Sequence, residues 1–123
     1  MLVKAIRYIG NYFGIEANAE TALKIIEKAR DELGYDTEDV EDTLRMLKNF
    51  DVFYEMMRKK FKHFLSPRKR ESDLIKGRVL VDKVKLTKEG EKRKALIIFD
   101  RRVNYDKIIE IIKSLGYEIE VSG

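Results

Sequence analysis

Apolar residues recur along this chain at intervals of three and four through its first half and at intervals of two through parts of its second. That change of period predicts helices first and strands later. Leu2, Ala5, Ile6, Ile9, Tyr12 and Phe13 have helical spacing and predict a first helix over 2–13, although Gly10 costs such a helix about 1 kcal/mol relative to Ala. Asn18 is a good N-cap for a second helix whose stripe is Ala19, Ala22, Leu23, Ile26, Ala29 and Leu33, closed by Gly34. A third helix starts at Asp36 or Thr37 and aligns Val40, Leu44 and Leu47. Its first turn holds Glu38, Asp39, Glu41 and Asp42, where carboxylates meet the positive end of the helix dipole.

A fourth helix is expected over about 50–65, because Phe50, Phe53, Tyr54, Met57, Phe61, Phe64 and Leu65 share one face. On that reading Phe61 is core, and truncating it to Ala costs about 3–5 kcal/mol. Ser66-Pro67 ends the helix, and residues 66–76 read as an exposed basic loop. Beyond Gly77 the period is two. Val79, Val81, Val84 and Leu86 predict a strand with a bulge at Asp82-Lys83, residues 88–91 a turn, and Ala95 to Phe99 a second strand. Asn104 caps a helix presenting Ile108, Ile109, Ile112 and Leu115, and Tyr117 to Val121 forms a last strand. Ile111 lies off that stripe and is assigned to a subunit contact. The expected fold is α+β: about four helices over 1–65, the basic loop 66–76 and a ββαβ unit over 77–123. Each part is short for a core of its own, so 1–123 is expected to be one co-folded domain.

Composition removes whole classes of chemistry. The 123 residues include no Cys and a single His, so disulfides, thiolate sites and any zinc site needing two imidazoles are excluded. No phosphate-binding loop, dinucleotide-binding turn or serine-nucleophile motif occurs. His63, on a basic face, is read as an ordinary exposed or partly packed imidazole. Neither a metal nor any other cofactor is expected, and a cytoplasmic location is, because no long apolar run and no signal-peptide core is present. Gln and Trp are absent and Ile, Lys, Glu and Arg abundant, a bias shared with proteins of hot habitats.

Charge then changes the picture. The net charge is only +4, yet residues 1–57 balance to −5, residues 58–94 to +10 and residues 95–123 to −1. A basic segment inside a nearly neutral protein is the footprint of a polyanion partner. The expected function is therefore non-catalytic nucleic-acid binding through phosphates, at Arg58, Lys59, Lys62, Arg68, Lys69, Arg70, Lys88, Lys92, Arg93 and Lys94. The alternative is a small assembly protein, such as a homodimer, whose basic stripe meets an acidic partner or the acidic first half of a second copy. A membrane partner is not expected, since a lipid-bound fourth helix would strip the core of its largest aromatics. A third option is a metal nuclease built from carboxylates and lysines around the hairpin, with Asp82 and Glu91 converging if the register allows.

Helices 18–33 and 37–48 followed by a basic hairpin resemble a winged-helix domain in outline over about 70 residues. The acidic first turn of the second of these helices and the extra helix before the hairpin depart from that pattern. The chain is not assigned to that family.

Overall fold

The structure is a computed structural model describing residues 2–122. Its elements run β1 (Leu2–Arg7), β2 (Phe13–Asn18), α1 (Ala19–Leu33), α2 (Glu38–Lys48), α3 (Phe50–Lys59), α4 (Glu71–Lys76), β3 (Val81–Glu89), β4 (Lys92–Phe99), α5 (Tyr105–Ser114) and β5 (Glu118–Ser122). The fold is α+β, but it begins with strands and not with a helix. One mixed sheet has the order β3-β4-β2-β1-β5, antiparallel throughout except for the parallel β1–β5 pair.

The N-terminal correction has a clear cause. Val3 and Ala5 are fully buried and alternate with exposed Leu2 and Lys4 and half-buried Ile6, while Phe13, Ile15 and Ala17 alternate in the same way on β2. Gly10 and Asn11 both have positive φ, 82° and 65°, which suits a hairpin turn and no α-helix. The Tyr8 amide donates to the Tyr12 carbonyl at 2.8 Å and closes that loop. The helix-like spacing of Leu2, Ile6 and Ile9 is coincidental, since these three are exposed or half-buried.

Helices α1 and α2 match the expectation. The Asn18 side chain accepts the Thr21 amide, and Gly34 takes the left-handed conformation at the C-cap. The side chains of Ile25, Ile26 and Ala29 on α1, Val40, Leu44 and Leu47 on α2, and Ile108, Ile111 and Ile112 on α5 meet Val3, Ile15, Val84, Leu86, Ile97 and Phe99 of the sheet in one core. Ile111 is thus buried, which overturns its assignment to a subunit contact. Phe13 stacks on Phe99 with ring centroids 4.9 Å apart and meets Tyr105 edge-on at 5.1 Å.

The acidic turn of α2 does more than face the helix dipole. Asp39 Oδ2 accepts the amides of Leu80 and Val81, both at 2.9 Å, and Asp42 Oδ2 accepts the Arg68 amide at 2.9 Å. These carboxylates hold the chain leading into β3 against α2.

The fourth helix is shorter than its aromatic stripe. It ends at Lys59, and Phe61 has a φ of 53° and is 93% exposed. Phe50 and Met57 are buried, but the face breaks beyond them. The reason lies at Leu65, which exchanges two backbone hydrogen bonds with Val84, at 2.7 and 2.8 Å, and so covers the edge of β3 at that residue. The chain must leave the helix at 60–61 for Leu65 to reach that edge, and sheet hydrogen bonding wins over helical continuation. Phe61 is therefore not core, and the large cost expected for its truncation is withdrawn. The loop 66–76 contains the short helix α4, none of whose residues is buried.

The bulge appears between Val81 and Lys83 as expected, and β3 and β4 form a hairpin. β5 does not join that hairpin. Helix α5 carries the chain across β2 and β1, and β5 pairs with β1 at the opposite edge of the sheet. The expected ββαβ unit is thereby split by an inserted N-terminal hairpin. Outline similarity to a winged-helix domain ends here as well.

A candidate nucleic-acid interface

The core side chains of α1, α2 and α5 pack against the face of the sheet that carries Val3, Ile15, Leu86 and Ile97. Positions alternating with these point the other way. In register across the sheet they run Lys4, Glu16, Leu96, Lys85 in one row and Ile6, Gly14, Ile98, Lys83 in the next. Most of these side chains are half-buried or exposed, so the second face is left open. Gly14 is needed in it, because a Cβ there would lie 2.9 Å from the Ile97 carbonyl oxygen and 3.4 Å from the Tyr8 ring. Burial and the Glu16 carboxylate raise the Tyr8 phenol above its ordinary pKa.

Where 61–65 crosses the β3 edge, the Phe64 ring is flanked by Lys83 and Lys85, each ammonium 5.8 Å from the ring centre. The exposed turn before it reads Lys60, Phe61, Lys62, His63. Here an aromatic ring stands in solvent between two lysines, in a left-handed backbone conformation that disfavours Phe.

The residues expected to bind phosphates divide into two sets. Lys59, Lys62 and Lys92 are exposed, and Arg68 is exposed beside Arg45 and Glu41. The others are engaged. Lys88 and Arg93 both grip Asp51, with Lys88 Nζ at 2.9 Å and the Arg93 guanidinium donating two bonds at 3.0 and 2.9 Å. Those hydrogen bonds hold the Asp51 carboxyl far below the usual carboxylate range. Lys94 pairs with Glu89 at 3.1 Å, Arg70 with Glu38 at 3.4 Å and Arg58 with Glu55 at 3.6 Å. Lys69 donates to the carbonyls of Pro67 and Asp82, at 3.1 and 3.0 Å, and acts as a structural clamp. Six of the ten therefore already hold a partner within the chain.

Lys4, Lys83, Lys85, Phe61 and Phe64 were missing from that set. The signal for Lys83 and Lys85 was their alternation with Val84 and Leu86. For Lys4 it was concealed by the helical reading of the first strand, and for the two aromatics by the length assigned to α3.

Nuclease chemistry loses its geometric premise. Asp82 lies at the bulge and Glu91 in the turn, at opposite ends of the hairpin. Among the described residues no three side chains of His, Asp or Glu are placed to hold a metal ion, and no helix is long and apolar enough to cross a membrane. No protein family, no curated protein and no solved structure matches this chain.

Proposed function

We propose that the chain binds single-stranded nucleic acid, without catalysis, over the turn 60–63 and the adjoining open face of the sheet at β3. The observation that carries this reading is the 93% exposure of Phe61 between Lys60 and Lys62. Leaving a Phe ring in water forfeits about 1.5–3 kcal/mol of burial, which a base stacked on the ring recovers. Phe64, Lys83 and Lys85 continue the same chemistry onto the sheet, with ammonium groups for phosphates beside a second aromatic ring. A duplex keeps its bases stacked inside, so single strands are the better fit.

Self-assembly through the basic stripe is the weaker reading. The pairs Lys88–Asp51, Arg93–Asp51 and Arg70–Glu38 already join the acidic first half to the basic segment within one chain.

Fluorescence anisotropy with labelled single strands and duplexes of about twenty nucleotides tests the proposal. Expected are tighter binding of single strands, little dependence on sequence, and affinity falling with salt. Absence of binding at about 50 mM salt overturns it. Light scattering on the same samples reports whether the chain self-associates instead.

A further inference from the structure

At the end of the sheet remote from the β3–β4 turn, and on its helix-bearing side, a cleft of about 380 Å³ is lined by Arg7, Tyr12, Phe13, Arg101, Val103 and Tyr105. Arg7 ends β1 on the same face as Val3 and Ala5, and its guanidinium lies 4.0 Å from the centre of the Tyr105 ring. That contact fixes one face of the guanidinium and leaves its N–H edge to the cleft. Arg101 follows β4 and reaches the same opening.

These two arginines differ from their neighbours. Arg102 pairs with Asp100 at 3.0 Å, and although burial of Asp100 opposes it, those hydrogen bonds lower the Asp100 pKa. Among the described residues Arg7 and Arg101 have no carboxylate within ion-pair distance, and no Asp or Glu lines the cleft. Two guanidinium forks facing one opening, with Asp100 acting on Arg101 only from beyond ion-pair distance, match a group bearing two negative charges on a tetrahedral set of oxygens. Phenol and benzyl rings along the walls suit a planar ring attached to that group.

We infer that this cleft binds a phosphomonoester, carried by a mononucleotide or by the 5′ end of a nucleic-acid strand. Arg7 and Arg101 would each hold phosphate oxygens, and Tyr12 and Tyr105 would contact the nucleoside. The cleft lies on the opposite face from Phe64, Lys83 and Lys85, so the inference does not rest on strand binding there.

Calorimetry with adenosine 5′-monophosphate and with adenosine measures what the phosphate adds. A parallel pair, a 5′-phosphorylated strand and its 5′-hydroxyl counterpart, distinguishes the two sources. The phosphate is expected to gain about tenfold in affinity in at least one pair. Arg101→Gln and Arg7→Gln should each remove that gain, while circular dichroism reports an unchanged fold. Replacing Lys83 and Lys85 with Ala should weaken strand binding and leave the phosphate-dependent gain intact. No gain in either pair, or a gain that survives both Arg→Gln changes, overturns the inference.

Discussion

Asp39 on α2 accepts the amide of Leu80 at 2.9 Å across 41 residues of sequence, and it does so with no solvent exposure. The same oxygen takes the Val81 amide, so one carboxylate anchors the chain as it enters β3. Asp39→Ala would leave two buried amides without an acceptor. The expected loss is roughly 2–5 kcal/mol, read as a lowered urea midpoint. A loss below about 0.5 kcal/mol would mean that the two amides find other partners.

Phe61 and Phe99 should separate function from stability. Phe99 is fully buried against Phe13, and Phe99→Ala should cost about 3–5 kcal/mol. Phe61→Ala should cost less than about 0.5 kcal/mol, because the ring is in solvent. Phe61→Gly should stabilise by roughly 0.5–1 kcal/mol, since glycine accepts the positive φ freely. Both changes at Phe61 should weaken single-strand binding by roughly 1–3 kcal/mol.

These contrasts trace what the sequence revealed. Helices α1, α2 and α5 and the bulged hairpin were legible because each carries both a cap or turn residue and a consistent period. Asn18 and Gly34 bracket one helix, and Asn104 opens another. The first strand was not, because six residues with chance spacing of three and four outweighed the Gly10-Asn11 turn between two short strands. The truncation of α3 depends on Leu65 meeting Val84, a contact between segments that no local pattern encodes. The positive charge of 58–94 was plain, but which cations are spoken for depends on Asp51, Glu38 and two carbonyl groups supplied from elsewhere in the chain or by its folding.

That division of cations sets a salt experiment. Replacing Lys83 and Lys85 with Ala should reduce the slope of log K against log salt by about 1.4, at roughly 0.7 per phosphate contact for single strands. Replacing Arg68, Lys69 and Arg70 should change the slope less, since Lys69 holds backbone carbonyls and Arg70 is paired with Glu38. The triple change should instead lower stability, through loss of the Lys69 clamp. Anisotropy titrations at several salt concentrations, with a urea melt of each variant, check both halves.

Asp51 gives a dependence on pH. Arg93 and Lys88 depress its pKa in the folded chain, so the ionised cluster favours folding above the ordinary carboxylate pKa of about 4. That contribution is lost as pH falls below this value and through the depressed one. Urea midpoints of the native chain and Asp51→Asn should therefore differ at neutral pH and converge in strong acid. The same substitution releases Lys88 and Arg93, and single-strand binding at low salt should tighten if the hairpin tip reaches the phosphates.

The backbone exchange between Leu65 and Val84, with the Lys69 ammonium on the Asp82 carbonyl, has a consequence for valence. A sheet grows by adding strands at edges, and here the β3 edge is obstructed at Val84 by its own chain. At the other side, β5 pairs with β1 alone among the described residues, and Glu118 and Glu120 lie along it. Each molecule thus offers one uninterrupted edge for extension. Edge-to-edge pairing of two copies would use both open edges and stop, closing a two-fold dimer. An unending stack of sheets requires two open edges per molecule, and this fold interrupts one of them at Leu65.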